Sequence, residues 1–243
     1  MMAPSTEEPL AVVFDLWFTL ISPLDHAEPG FHSVRAIPSA LGLDPVLFRE
    51  YWETSAPVRI RQPRLLSDCL AEFFAHVGRD VTDDDLARFD AVWHPFDRAL
   101  SSPRVEVTET LSALAAGGLR LGLLSNAHER EIRMWPGSPL ARHFTATSFS
   151  CHSGHAKPEA EAYRHVLDQL GVPANAAVFV GDGDSGELVA ARAAGFGLTI
   201  FMRGFRAEQG VDKEEVEARA RQADAIIDRI EDLFPLLRDR GGS

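Results

Sequence analysis

The chain has 243 residues, 45% of them hydrophobic, and its 24 basic and 36 acidic side chains leave a net charge of −12. That length gives one large domain or two modest ones with room for a core, and the acidic balance argues against a nucleic-acid partner held through phosphate contacts. It leaves a small anionic substrate open, because one local site can oppose the overall field. In chain order, the first feature is Leu10-Ala-Val-Val-Phe-Asp15, an apolar run closed by the only charge between Glu8 and Asp25. A continuous apolar run of this length predicts a strand buried on both faces. A carboxylate at its carboxyl end stands where open α/β sheets place ligands, and it needs a cation, a metal or a hydrogen-bonding loop beside it.

From Ser22 to about Arg104 the pattern is helical. Phe31 to Leu41, Pro45 to Ser55, Leu65 to Val77 and Asp83 to Phe96 carry apolar residues at three- and four-residue spacing. Thr82 followed by three aspartates is a helix start. This stretch is expected to be an all-helical insertion of roughly 80 residues, a plausible subdomain size. Strands and helices then alternate: helix Val107 to Ala116, strand Leu119 to Leu124, helix from His128 to Met134, strand Phe144 to Phe149, helix Glu159 to Leu170, strand Ala176 to Val180, helix Glu187 to Ala194, strand Gly197 to Phe201, helix Lys213 to Ala223, strand Ala225 to Ile227 and helix Ile230 to Leu237. That alternation predicts an α/β fold with a doubly wound parallel sheet. The expected division is a core domain of residues 1–21 and 105–243 with a helical cap of residues 22–104.

Three later strand ends resemble the first. Ser125-Asn126 precedes a helix and offers a hydroxyl, an amide and helical N–H groups to an anion; Asn126 with Glu129 also fits a capping box. Lys157, one of only two lysines, opens a helix with Pro158 and is either a solvated surface lysine or a counter-charge to Asp15. Gly181-Asp182-Gly-Asp184-Ser-Gly-Glu187 sets three carboxylates among three glycines at a strand-to-helix turn, a hard-oxygen set that suits Mg²⁺; Asp184 and Glu187 also have capping-box spacing.

Asp15-Leu-Trp-Phe-Thr19, Ser125, Lys157 and Gly181-Asp182 to Glu187, in that order, resemble the four motifs of the haloacid dehalogenase superfamily, and the helical insertion lies where one type of cap sits in that family. The resemblance implies a Rossmann-like core and a hydrolase with Asp15 as nucleophile. It implies that Ser125 and Lys157 serve the phosphoryl group or its equivalent, with Trp17, Thr19 and Asn126 around the substrate. Asp15, the backbone carbonyl of Trp17, Asp182 and Glu187 are the implied Mg²⁺ ligands.

The chain departs from the family pattern at Trp17. Phosphatases of the family carry a second Asp there, which protonates the leaving alkoxide and then activates water; Phe18 also replaces a usually small residue. An indole cannot shuttle protons at neutral pH. Three readings follow. The first and preferred is a Mg²⁺-dependent phosphatase of a small phosphorylated metabolite, with the proton role taken by another group such as Asp25, His26 or His128, or made unnecessary by a good leaving group. The second is a 2-haloacid dehalogenase-like enzyme, which has an aromatic residue at this position and needs no acid because halide leaves unprotonated; Arg35 or Arg49 would then cradle the halide. The third is a binding-only member with Trp17 filling the site. Phosphonate-cleaving relatives use a cap lysine, and residues 22–104 contain none.

Two cysteines, Cys69 and Cys151, make no disulfide framework and suit a reducing cytoplasm. The expected partner is a small molecule, with neither nucleic acid nor membrane and with a monomeric or homodimeric state. Neither a leader peptide nor a membrane span is read at the N-terminus, and Arg240 to Ser243 is expected to fray.

Overall fold

The computed structural model describes residues 9–208 and 211–238; the N-terminal eight residues and the predicted frayed end lie outside them. Strand β1, Ala11–Phe14, is followed by five helices: α1 Ser33–Leu41, α2 Pro45–Arg59, α3 Leu66–His76, α4 Asp83–Val92 and α5 His94–Ser101. Then come α6 Val105–Ala116, β2 Arg120–Ser125, α7 Glu129–Ile132, β3 Ala146–Phe149, α8 Ser150–Ser153, α9 Ala160–Leu170, β4 Ala177–Gly181, α10 Glu187–Ala193, β5 Leu198–Met202, α11 Gly204–Glu208, α12 Lys213–Ala220, β6 Ala225–Ile227 and α13 Leu233–Arg238.

All six strands are parallel, in the order β3-β2-β1-β4-β5-β6. The order reverses at β1, so the carboxyl ends of β1, β2 and β4 meet at the switch point, the ligand crevice of a doubly wound sheet. Side chains of β1 alternate. Val12 and Phe14 join the core beneath the insertion helices, while Ala11 and Val13 join the opposite core with Tyr163, Val166 and Phe179. Gly122 lets α9 approach β2, because a Cβ there would press into Leu170, Val166 and Val13. No helix among the described residues is long and apolar enough to cross a membrane.

Several boundaries differ from the sequence reading, each for a local reason. The segment read from Asp83 to Phe96 breaks at Trp93 into α4 and α5, with Pro95 in the first turn of the second helix. Helix α2 runs through Pro57 to Arg59 instead of stopping at Ser55. The capping box after β2 is not Asn126 with Glu129: the helix starts two residues later, and His128 N–H donates to Glu131 Oε2 at 3.1 Å. Thr82 and Asp85 do form a reciprocal capping box. Helix α11 was not read at all, because five residues are too few to establish a period.

Candidate active site

Asp15 directly follows β1 and is 6% exposed. The chain after it closes on itself: Leu20 and Ile21 N–H donate to Leu16 O, and Phe18 N–H donates to Ile21 O at 2.7 Å. Phe18 adopts φ +60, a left-handed backbone that strains a bulky side chain and favours a residue without one. Its ring lies under the Arg206 guanidinium, 4.7 Å from centroid to carbon. The loop also turns Thr19 inward, where its hydroxyl donates to Asp15 Oδ2 at 3.1 Å.

The other oxygen of Asp15 accepts from Lys157 Nζ at 2.5 Å, and the same ammonium donates to Glu187 Oε2 at 2.6 Å. Lys157 is therefore buried and doubly paired, not a surface lysine. Burial opposes its charge, but Asp15 and Glu187 outweigh it and hold the ammonium well above the usual lysine range. Asn126 fixes it from behind: its amide donates to Lys157 O and accepts from Lys157 N–H, both at 2.8 Å. Ser125, the last residue of β2, carries a buried hydroxyl with no hydrogen-bond partner among the described residues.

Glu187 is held at its second oxygen by Gly183 N–H at 3.0 Å; the expected Asp184 cap is replaced by this bond. Gly181 is required for the seat, since a Cβ there would overlap the Glu187 carboxylate. Asp182 Oδ1 accepts from Asp184 N–H at 3.0 Å. Its Oδ2 meets Arg206 of α11 as an ion pair. Burial and the nearby charge of Asp15 push the Asp182 carboxyl up, and burial pushes Glu187 up as well.

The carboxylates of Asp15, Asp182 and Glu187 lie within 4.8 Å of one another and all are buried. Lys157 and Arg206 balance two of the three charges, leaving one in excess. Three hard oxygen donors with surplus negative charge fit a divalent cation of the magnesium type. Arg206 already occupies one oxygen of Asp182, so it and a cation would share that carboxylate.

A cleft of about 370 Å³ opens over this cluster. Asp15, Trp17, Phe18, Asn126, Lys157, Asp182 and Glu187 line it from the sheet side, Phe96 and His32 from the insertion, and Glu131 and Arg206 complete it. Trp17 packs edge-on against Phe96 of α5, with centroids 5.0 Å apart, and its indole N–H finds no hydrogen-bond partner among the described residues. The proton carriers named from sequence fare differently. Asp25 is bound by Arg104 at 2.7 and 2.8 Å, and neither it nor His26 lines the cleft. His128 is buried between Trp52 and Trp93, and burial drives its imidazole down to about 3. Arg35 and Arg49 are exposed and away from the cleft. Sequence reasoning missed Glu131, Arg206 and Phe96. The one available signal was for Arg206, which follows the carboxyl end of β5 as the other site residues follow theirs.

The family model of haloacid dehalogenase-like hydrolases matches residues 10–195. A phosphoglycolate phosphatase of Rhodospirillum rubrum is 29% identical over 209 residues, 82% of either chain. Among solved structures, a HAD phosphatase from Thermococcus onnurineus superposes with a TM-score of 0.62 at 20% identity, covering 93% of this chain and 97% of its own. A 2-haloacid dehalogenase from Pseudomonas syringae pv. Tomato superposes equally well, with a TM-score of 0.62 at 24% identity over 95% and 98%. At these identities the two structures speak for the fold.

Proposed function

Since the chain belongs to the haloacid dehalogenase-like hydrolases, we propose that it is a phosphatase that cleaves a small phosphorylated metabolite through an aspartyl-phosphate on Asp15. The observation that carries this reading is the buried cluster of three carboxylates and Lys157 beneath one cleft. In-line attack by Asp15 on phosphorus spreads charge over the equatorial oxygens, and catalysis of phosphoryl transfer rests on positioning and charge stabilisation. Lys157 and the Ser125 hydroxyl receive those oxygens, and Thr19 holds the attacking carboxylate in place. Asp15, Asp182, Glu187 and the backbone carbonyl of Trp17 would hold Mg²⁺. When bound, that ion neutralises charge on the phosphoryl oxygens.

Residues 22–104 act as the cap on a core of residues 1–21 and 105–243. Phe96 and Trp17 give the cleft an apolar wall that limits bulk water around the reacting groups. Phosphoglycolate, the substrate in the relative's name, is the first compound to assay. Trp17 favours a second reading, carbon–halogen hydrolysis through an Asp15 ester, because a departing halide needs no proton.

A paired assay separates the two: phosphate release from phosphoglycolate and p-nitrophenyl phosphate, and halide release from 2-chloropropionate, each with Mg²⁺ and with EDTA. Mg²⁺-dependent phosphate release, abolished by EDTA and by Asp182→Ala, is the expected result. Halide release indifferent to EDTA would replace the phosphatase reading.

A further inference from the structure

Trp17 leaves the loop after Asp15 without a proton carrier, so an alkoxide leaving group must find its proton elsewhere on the cleft. Outside the cluster of Asp15, Lys157, Asp182 and Glu187, three titratable groups face the cleft, His32, Glu131 and Asp184, together with Arg206, which is paired with Asp182. His32 and Asp184 are exposed to water. Glu131 is the enclosed one. Its side chain is 19% exposed, and its neighbours are unusual for a carboxylate. Oε2 accepts from His128 N–H at 3.1 Å, and Oε1 lies 3.6 Å from His128 Nε2. No Arg or Lys nitrogen among the described residues comes within 4.0 Å; Arg59 acts on it only from beyond that distance. A carboxylate held beside an uncharged imidazole in an apolar pocket keeps its proton to higher pH.

We propose that Glu131 is the catalytic acid and base that stands in for the missing carboxylate at position 17. The proposal rests on the phosphatase reading. As Asp15 forms its bond to phosphorus, the bond from phosphorus to the substrate oxygen breaks and its electron pair stays on that oxygen. The oxygen takes the Glu131 proton and departs as an alcohol. Water then attacks the aspartyl-phosphate and gives a proton to the Glu131 carboxylate. The bond from phosphorus to Asp15 breaks, releasing phosphate and restoring both carboxyl groups. Burial pushes the Glu131 carboxyl up to about 7, with the His128 N–H and Arg59 pulling the other way, so both forms are populated at neutral pH. Its second duty, capping α7 through His128 N–H, survives replacement by glutamine, which keeps an acceptor oxygen.

The experiment compares kcat/KM of the wild type and Glu131→Gln on phosphoglycolate, whose alkoxide needs a proton, and on p-nitrophenyl phosphate, whose phenolate does not. The expected result is a loss of about 10²–10⁴ on phosphoglycolate and of less than about tenfold on p-nitrophenyl phosphate. Equal losses on both substrates, or none, overturn the proposal. Should the variant fail to fold by thermal unfolding, the wild-type pH profile decides. The ratio of kcat/KM for phosphoglycolate to that for p-nitrophenyl phosphate falls above about pH 7 if Glu131 donates the proton, and a flat ratio overturns it. No phosphate release by the wild type from either substrate defeats the phosphatase reading itself, whereas an active wild type matched by Glu131→Gln defeats only the role of Glu131.

Discussion

Arg206 reaches the carboxylate cluster from α11 and pairs with Asp182 Oδ2. An arginine fixed there competes with Mg²⁺ for the same carboxylate. Arg206→Gln is therefore expected to tighten Mg²⁺ binding by about tenfold in calorimetric titration of the substrate-free protein, a change worth about 1.4 kcal/mol; unchanged or weaker affinity would mean that Arg206 and the metal do not share Asp182. Glu131 and His128 make a second pair with a readable sign. Burial raises the Glu131 carboxyl to about 7, so its contribution to stability is present at low pH and is lost as pH rises through that value. Burial depresses His128 to about 3, so its contribution is present above the ordinary value of 6.5 and is lost as pH falls below it. Between about pH 4.5 and 6.5 the two slopes oppose each other. Glu131→Gln removes one of them: the variant and the wild type should have similar urea midpoints at pH 5, and the variant should be the more stable at pH 8, by on the order of 2 kcal/mol. The same difference at both values would place the Glu131 proton elsewhere. Lys157 was legible in the sequence because lysine is rare here, although it lies in the turn before α9 and does not open the helix with Pro158 as expected. Glu131 was not, because a glutamate amid Glu129-Arg-Glu131 reads as an ordinary charged surface.

The insertion is tied to the sheet layer by charged side chains as well as apolar ones. Arg130, 8% exposed, donates to Asp90 of α4 at 2.6 Å and to both oxygens of Asp97 on α5 at 2.7 and 3.0 Å. Arg133 reaches the same two carboxylates. Burial opposes the charge of Asp97, yet Arg130 and Arg133 outweigh it and hold the carboxyl below the usual range. Helix α5 also carries Phe96 onto Trp17, so this joint sets one wall of the cleft. Asp97→Ala leaves a buried guanidinium short of its partner. A loss on the order of 3 kcal/mol in urea unfolding and a raised KM are expected, whereas unchanged stability would mean that the joint is held by packing alone. Helix existence was clear from periodicity in α1 to α4, but the break at Trp93 was not. The break falls just before Pro95 in the first turn of α5, and Trp93 fills it by packing against Trp52, Phe96 and His128.

At the scale of the whole molecule, one apolar core runs from the sheet into the insertion, joining Phe14, Leu123 and Val180 to Phe48, Phe73 and Trp93. The strands were legible because strands buried on both faces are continuous apolar runs, and the parallel order followed from the intervening helices. What linear order could not reveal is which charged residues converge once β1, β4 and β5 stand side by side; Arg206 comes to Asp182 only through that pairing. Both catalytic readings, phosphatase and dehalogenase-like, depend on Asp15 as the attacking group. The most direct measurement is a single turnover of enzyme in excess over phosphoglycolate, quenched in acid, with mass spectrometry of the peptide that contains Asp15. The account predicts one phosphoryl group on Asp15 in the wild type, and neither label nor turnover in Asp15→Asn. Phosphate released with no label on that peptide, or released by Asp15→Asn, would contradict it.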